Sequence, residues 1–378
     1  MSHVTRLLIY TRPDWDTRRG GDSIQIMETV RVLREQGYQV TITSSLNESL
    51  ASYQAAVIFN LTLPEQAYWQ YRQIKRASIP FVVFSVFWDL DSLPLSRSRK
   101  DSLKRWFIPN WVKVLLRSAR YLKKNKMVRF DLLKLRSRKS MINEIVDHAA
   151  MIFPNSRAEQ EHLIQYMGRN DEGDLPFKII YNGINKELIK GHEQTELASH
   201  TLPKRFICCI GAIGPRKNQL RLIEASNLTG IPLVLVGQAS ASDWRYERDA
   251  RKMAGSQVTF IPHLPQRDIF TVMKKSSGHI QPSLIETPGL ASMEAYALGQ
   301  EIAVSDTSPV REYFGHRALY CSPQDVKSIE TCLIQLFEGK ANKNNSNQAN
   351  EFIDKYDWNQ VLKPIGESLR DGVEGGFF

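Results

Sequence analysis

Short apolar runs alternate with amphipathic stretches along both halves of this chain, and that alternation restricts the fold more than any other feature. An apolar run at 4–10 leads through a polar loop into an amphipathic stretch at 24–36, a stop at Gly37 and another apolar run at 39–43, which is the pattern of a β-α-β unit. Further strands are expected at 55–60, 81–86 and 151–154. A second series opens near Lys204 with a strand and glycine turn at 205–214 and a helix at 219–227. Strands at 233–237, 258–261, 278–282 and 301–305 follow. Strands separated by helical spacers predict parallel, helix-covered sheets, hence an α/β protein. The polar stretch 185–200, with mixed charges and few large apolar residues, is read as a hinge. It divides the chain into a first domain at 1–184, a second at 201–355, and a last helix at 356–378 that packs back across the interface.

The 378 residues, 42% of them hydrophobic, suffice for two domains with a core each. No stretch approaches the roughly twenty apolar residues of a membrane-spanning helix. Residues 1–10 run straight into a strand without the apolar core of a signal peptide, so a cytosolic location is expected. Four cysteines, Cys208, Cys209, Cys321 and Cys332, lack metal-ligand spacing and are expected as free, packed thiols. The asparagine-rich stretch 340–350 reads as a surface loop.

Chemistry concentrates in 283–299, Ser-Leu-Ile-Glu-Thr-Pro-Gly-Leu-Ala-Ser-Met-Glu-Ala-Tyr-Ala-Leu-Gly, where a turn with Pro288 and Gly289 opens a helix. Glu286 lies in the loop before that helix and Glu294 about a turn and a half inside it. Two carboxylates so placed accept hydrogen bonds from hydroxyls at two ends of one ligand. Between them the amides of Gly289 and Leu290 stand at the positive end of the helix dipole, where an anion is favoured.

This stretch resembles the donor-site motif of GT-B glycosyltransferases, particularly family 4, written Glu-x-Phe-Gly-Leu-x-x-x-Glu-Ala-x-Ala-x-Gly. It matches at Glu286, Gly289, Leu290, Glu294, Ala295, Ala297 and Gly299, and departs at Pro288, where an aromatic is usual. The resemblance implies the GT-B architecture, two Rossmann-like parallel-sheet domains facing across a cleft. It also implies that Glu286 binds the donor sugar, Glu294 the ribose, and the Gly289 and Leu290 amides the diphosphate. Gly20 and Gly21, after the first strand, match the family's paired glycines beside the donor phosphate. The segment 211–218 resembles the element that neutralises the diphosphate, with Lys217 on the motif lysine and Ala212 where the arginine stands. Arg216, Arg18 or Arg19 is then the source of a second cation. Pro154-Asn155-Ser156 and the turn 181–185 match fold markers of the family, and Asn182-Gly183 reads as a tight turn needing a positive backbone dihedral. The loop at Asp306 and Thr307 either touches the nucleotide or merely connects elements.

The family commonly carries a histidine at the end of its fourth strand, and 82–89 has none. Trp88 or Phe87 takes that place. Asp89 is the candidate polar group near the acceptor, as a base or hydrogen-bond partner, or else it caps the next element. Asp14, Asp16 and Asp22 are further candidates. The lack of a clear base fits a retaining mechanism, in which the family is thought to let the departing phosphate accept the acceptor's proton. Lys217, Arg216 and helix amides stand where a metal would otherwise be needed, so no metal or cofactor is expected. Glu286 and Asp89 are the catalytic candidates.

The charge distribution is uneven. From Arg97 to Lys139 there are sixteen lysines and arginines against two acids, a balance of +14 in a chain of +10. Trp106, Trp111 and several aliphatic residues are interleaved with these cations, as in an interfacial helix on anionic lipid. Lys104, Arg105, Trp106, Trp111 and Lys113 are therefore expected at a membrane or acceptor surface. An ordinary charged hairpin is the competing reading, with nucleic-acid binding behind both. The chain is read as a glycosyltransferase moving a sugar from a UDP- or GDP-type donor to a glycan or lipid-linked acceptor in cell-surface polysaccharide or lipopolysaccharide assembly. It is placed on the cytosolic face of a membrane without nucleic-acid partners. A nucleotide-sugar epimerase, or a basic scaffold with a degenerate donor site, is the alternative.

Overall fold

A computed structural model describes residues 5–16, 20–89, 110–125, 136–170, 173, 175–193, 201–339 and 346–374. The chain forms two compact units, one built from residues up to Asn182 together with those from Asn359 onward, the other from Gly183–Trp358.

The first unit holds five strands, β1 (Arg6–Tyr10), β2 (Gln39–Thr43), β3 (Ala55–Phe59), β4 (Phe81–Phe84) and β5 (Met151–Phe153). All are parallel and lie in the order β2-β1-β3-β4-β5. Its helices are α1 (Gly21–Glu35), α2 (Pro64–Ala77), α3 (Asn110–Lys124), α4 (Arg138–Val146) and α5 (Arg157–Met167). Leu8, Tyr10, Ile58, Val83 and Ile152 are fully buried beneath Tyr68, Tyr71 and Ile142. Strands covered on both faces have no polar face to alternate with, which is why the runs are apolar throughout. Local signals start the helices: Pro64 opens α2, and the Ser156 side chain accepts a hydrogen bond from the Glu159 amide at the head of α5. Glu65 of α2, only 1% exposed, is paired with Arg138 at 2.7 Å and Arg117 at 3.8 Å, which ties α3 and α4 to α2.

The second unit holds β6 (Ile207–Ile210), β7 (Leu233–Val236), β8 (Val258–Ile261), β9 (His279–Gln281), β10 (Ile302–Ser305) and β11 (Leu319–Cys321), parallel in the order β11-β10-β9-β6-β7-β8. Its helices are α6 (Lys186–Lys190), α7 (Gln219–Thr229), α8 (Trp244–Met253), α9 (Gln266–Lys275), α10 (Leu290–Ala297), α11 (Ser308–Phe314), α12 (Val326–Glu338) and α13 (Ser346–Tyr356). Chain progression reverses between β6 and β9, so the loops leaving those two neighbouring strands diverge and open a crevice at their carboxyl ends. All four cysteines are buried and free.

Three expectations change. The unit boundary falls ahead of the stretch read as a hinge: Asn185 caps α6, and His192 packs edge-on against Phe270 at 5.5 Å within the second unit. The latter part of the asparagine-rich stretch is helical, because Ala349, Phe352, Ile353 and Tyr356 fall on one buried face of α13. Neither Asn182 nor Gly183 has a positive φ. Gly183 is required for a different reason, since a Cβ there would lie 2.8 Å from both Trp358 Cδ2 and the Tyr356 carbonyl oxygen, where the chain pairs Ile184 with Asp357.

The last helix, α14 (Trp358–Glu374), belongs to the first unit from Asn359 on. Arg31 donates to Asn359 at 2.9 Å and the Tyr38 hydroxyl to the Gly366 carbonyl at 3.0 Å.

Gly183→Ala forces a methyl group against backbone and a buried indole, so a stability loss of about 1–3 kcal/mol is expected in urea unfolding. Wild-type stability in that variant would dispose of the close-packing explanation.

Candidate nucleotide-sugar site

The site lies at the reversal between β6 and β9. After β6 the chain passes through Gly211 into a short turn at Pro215–Lys217 that ends on Asn218, whose φ is +62°. Asparagine is among the few side chains that tolerate this left-handed backbone. Its amide nitrogen donates to the Pro282 carbonyl at 2.9 Å, and the Leu284 amide donates to the Arg216 carbonyl at 2.8 Å. These two bonds fasten the loop after β6 to the loop after β9. They bring Lys217 and Glu286 together across 69 residues of sequence.

Lys217 Nζ is ion-paired and hydrogen-bonded to Glu286 Oε2, and the Ser283 hydroxyl donates to the same oxygen at 2.8 Å. Arg216 Nη1 stands 3.9 Å from Glu286 Oε1 and is far more exposed. Burial raises the pKa of the Glu286 carboxyl, but the charges of Lys217 and Arg216 and the Lys217 and Ser283 hydrogen bonds outweigh it and bring it to about 2. An ionised carboxylate in a buried site survives only with such partners. Arg216 is thus a second cation beside Glu286, and Arg18 and Arg19 lie outside the described residues.

Gly289 joins Glu286 to α10. Its φ is +90°, and a Cβ there would lie 2.9 Å from Glu286 Cγ, so only glycine lets the helix start this close to the carboxylate. Behind it, Ser292 Oγ is 3.1 Å from Nε2 of the fully buried His279, and His279 Nδ1 is 3.8 Å from Cys208 Sγ. Burial, and next the Lys217 charge, push the His279 pKa down to about 3, so the ring is neutral. Glu294 accepts a hydrogen bond from Gln266 of α9 at 2.8 Å. Its pKa is raised to about 7 by burial, with Gln266 pulling the other way. The structure thus brings Lys217, Glu286, Gly289 and Leu290 to one crevice, with Glu294 farther along α10.

Ser283, Asn218, Gln266 and His279 are parts of this arrangement that the sequence reading does not name. Ser283, three residues before Glu286, was visible in the motif stretch. Gln266 and His279 had no signal, because their neighbours come from elements distant in sequence.

The first unit contributes a separate set. Gly20 is the extended N-cap residue of α1, which Gly21 begins. Asp14 and Asp22 are both claimed by Arg12, with contacts of 2.7 Å to each, so they brace the loop before α1 and do not stand ready as bases. Asp89 donates its amide to Nε2 of His162, a residue of α5 that stacks on Trp88 at 4.8 Å. The histidine missing from 82–89 thus has a neighbour from another element. Asp306 forms two contacts with Arg311 on the exposed side of its loop.

In the basic stretch, α3 buries Val114, Ser118, Tyr121 and Leu122, while Trp111, Leu116, Arg120, Lys123 and Lys124 are exposed. Lys113 is partly exposed on the same helix, whereas Lys104, Arg105 and Trp106 lie outside the described residues. Among the described residues no group of three acidic, histidine or cysteine side chains is arranged to hold a metal, and no helix is long and apolar enough to cross a membrane.

Comparison with known proteins agrees with this geometry. Residues 193–353 match the family described as glycosyl transferases group 1. The O-antigen chain mannosyltransferase RfbU of Salmonella typhimurium is 22% identical over 199 residues, which take in 51% of this chain and 52% of that protein. This chain therefore spans about half the length of that relative. Among solved structures, a sucrose-phosphate synthase from Thermosynechococcus elongatus superposes with a TM-score of 0.71 at 14% identity, covering 98% of this chain and all 100% of the other. Anabaena HepE, solved in complex with UDP and glucose, gives 0.65 at 17% identity over 97% of this chain and 100% of its own. Two all-parallel α/β units give this chain a GT-B fold, and its residues 193–353, which hold the crevice motif at β6 and β9, are similar to the glycosyl transferases group 1 family.

Proposed function

We propose that this protein transfers a sugar from a nucleotide-diphosphate sugar to a glycan or lipid-linked acceptor, in assembly of a cell-surface polysaccharide such as lipopolysaccharide. The observation that carries this reading is the buried Lys217–Glu286 pair beside the first turn of α10. Similarity to an O-antigen mannosyltransferase supports the class of acceptor.

In this reading the pair is exchanged when the donor binds. The diphosphate takes over Lys217 and Arg216 and accepts hydrogen bonds from the Gly289 and Leu290 amides. Glu286, released from the lysine, accepts from hydroxyls of the donor sugar, and Glu294 accepts from the ribose. As the bond to the sugar breaks, negative charge grows on the leaving phosphate, and fixed cations and amides stabilise that charge more than the bound donor. The same groups take the role a metal would fill, so the transfer needs none. We read the transfer as retaining, with the leaving phosphate accepting the proton of the acceptor hydroxyl and Asp89 holding the acceptor.

The basic helix α3 has a second role in this reading. Its exposed cations, with Trp111 at its N-terminal end, hold the protein at the cytosolic face of an anionic membrane, where lipid-linked acceptors reside. Each cation near such a surface contributes on the order of 1 kcal/mol.

Calorimetry with UDP, GDP, ADP and their sugar conjugates is expected to find one nucleotide class that binds. Lys217→Ala and Glu294→Ala should each weaken it by roughly tenfold or more, the cost of an unmet charged hydrogen bond. Binding of no nucleotide, or undiminished binding by both variants, refutes the donor site.

Donor binding should also depend on pH. A carboxylate that accepts from ribose hydroxyls must be ionised, and Glu294 titrates near 7 in the empty site. Affinity for the nucleotide sugar therefore falls as pH drops below 7, by up to roughly tenfold per unit. In Glu294→Gln the slope should vanish. A wild-type affinity that is flat between about pH 5.5 and 8 removes Glu294 from the ribose site.

Sedimentation with phosphatidylglycerol and phosphatidylcholine vesicles tests the membrane surface. Preferential binding to the anionic vesicles, lost in Trp111→Ala combined with Lys123→Glu and Lys124→Glu, is the expected result. Equal binding to both vesicle types excludes electrostatic docking through α3.

A further inference from the structure

His279 stands in the middle of a buried chain of hydrogen bonds that runs from the end of α9 to the first turn of α10. It is the first residue of β9 and wholly buried, and its neighbour Ile280 belongs to the apolar core. An apolar side chain would fill such a position without burying a polar ring, so the imidazole is tolerated only through its partners. The Ser276 hydroxyl, at the end of α9, donates to the Met273 carbonyl at 2.7 Å. Cys208 of β6 donates its thiol proton to Ser276 at 3.4 Å, and its sulfur stands 3.8 Å from His279 Nδ1. On the other side of the ring, Nε2 is 3.1 Å from Ser292 Oγ in α10.

Proton accounting gives this chain one direction, because the carbonyl at its end can only accept. Ser276 gives its proton to Met273 and accepts from Cys208. The sulfur is then the acceptor for Nδ1–H of the neutral ring, and Nε2 accepts from the Ser292 hydroxyl. A helical serine ordinarily turns its hydroxyl to a carbonyl of its own preceding turn. Ser292 is instead held from the core. The start of α10 makes that hold matter. Its N-cap residue, Gly289, has no side chain with which to cap, and among the described residues no group accepts from the amides of Gly289, Leu290 or Ala291. A serine or aspartate at the N-cap would fix the turn but would also occupy those donors. Here the donors stay unpaired, and the third helical residue, Ser292, is fastened from behind. Its amide donates to the Gly289 carbonyl at 2.9 Å, and its Oγ lies 3.6 Å from where a Gly289 Cβ would stand.

We infer that His279 is a positioning residue which, through Ser292, fixes the first turn of α10 so that its free amides meet a diphosphate. His279 touches no ligand itself. Hydrogen bonds from amides to phosphate oxygens are short and directional, so a small displacement of the turn weakens each of them. The arrangement separates two tasks that an N-cap side chain normally combines: the glycine leaves the donors free, and the buried histidine holds the turn. A core-filling role alone accounts for the volume of the ring but not for a hydrogen-bond chain that ends on the first turn beside Glu286. That the diphosphate belongs to a sugar donor rests on the glycosyl-transfer reading; the tie from His279 to the turn does not.

Calorimetry on the full chain with inorganic pyrophosphate, UDP and GDP tests it, with thermal unfolding as the check on folding. Wild type is expected to bind pyrophosphate, and Lys217→Ala to lose it. Ser292→Ala and His279→Leu should each weaken pyrophosphate binding roughly five- to tenfold, and the double variant no further than the weaker single one, since both remove the same tie. His279→Gln places an acceptor at the Nε2 position and should recover affinity to within about threefold of wild type, whereas His279→Asn, whose polar group matches Nδ1, should not. A core-filling role predicts the reverse order, with His279→Leu nearest to wild type in binding as well as in melting temperature. That order, wild-type affinity in Ser292→Ala, or no pyrophosphate binding by the wild type overturns the inference. If His279→Leu fails to fold, Ser292→Ala decides. The expected pattern with pyrophosphate but no binding of UDP or GDP supports the tie and counts against the sugar-donor reading instead.

Discussion

A buried carboxylate and a partly buried ammonium, Glu286 and Lys217, are the interaction on which the second unit's crevice depends. Neither group is tolerable alone in that setting, because the desolvation of an unpaired buried ion costs several kcal/mol. Their meeting requires two loops that leave neighbouring strands in opposite senses. Asn218 in its left-handed conformation and the backbone bond between Arg216 and Leu284 hold those loops together. The tight glycine at 289 then lets α10 begin against the carboxylate. A charge pair satisfied in this way, beside the first turn of α10, keeps the Glu286 carboxylate ionised inside the crevice.

The first unit uses buried carboxylates differently. Glu159 binds two backbone amides and a hydroxyl and so fixes a turn, while Glu65 binds Arg138 and Arg117 and so fixes helices. Both sit on helices that cover the parallel sheet, and both act on loops or helices beyond it. The contrast with Glu286 is in the partner: Glu159 and Glu65 bind amides and guanidinium groups held by the fold, whereas Glu286 binds a lysine on a short turn and faces the exposed Arg216.

The charge asymmetry of the chain is also resolved by position. The cations of α3 are divided between an inward pair with Glu65, made by Arg117, and an outward face at Arg120, Lys123 and Lys124. Val114, Tyr121 and Leu122 bury the opposite side of the same helix. A helix with a packed side and a basic side leaves the unit's core intact while presenting its charge to solvent.

Much of the fold was legible in the amino-acid sequence, because strands covered on both faces must be apolar throughout and helices must show a periodic face. The strands at 39–43 and 258–261 and the start of α7 at Gln219 follow from those rules directly. The placement of Glu286, Gly289 and Glu294 in one loop and helix was legible too, since their spacing is local. What local reasoning misread was set by neighbours. Gly183 is a glycine because Trp358 and Tyr356 crowd it and not because of its dihedral, and Ser346–Tyr356 is a helix because four of its side chains find a buried face. The partner of Glu286, the pKa of Glu294 and the stacking of His162 on Trp88 were decided by tertiary structure alone. Each depends on which residues from distant segments close around a group and exclude water from it, and sequence spacing carries no record of that.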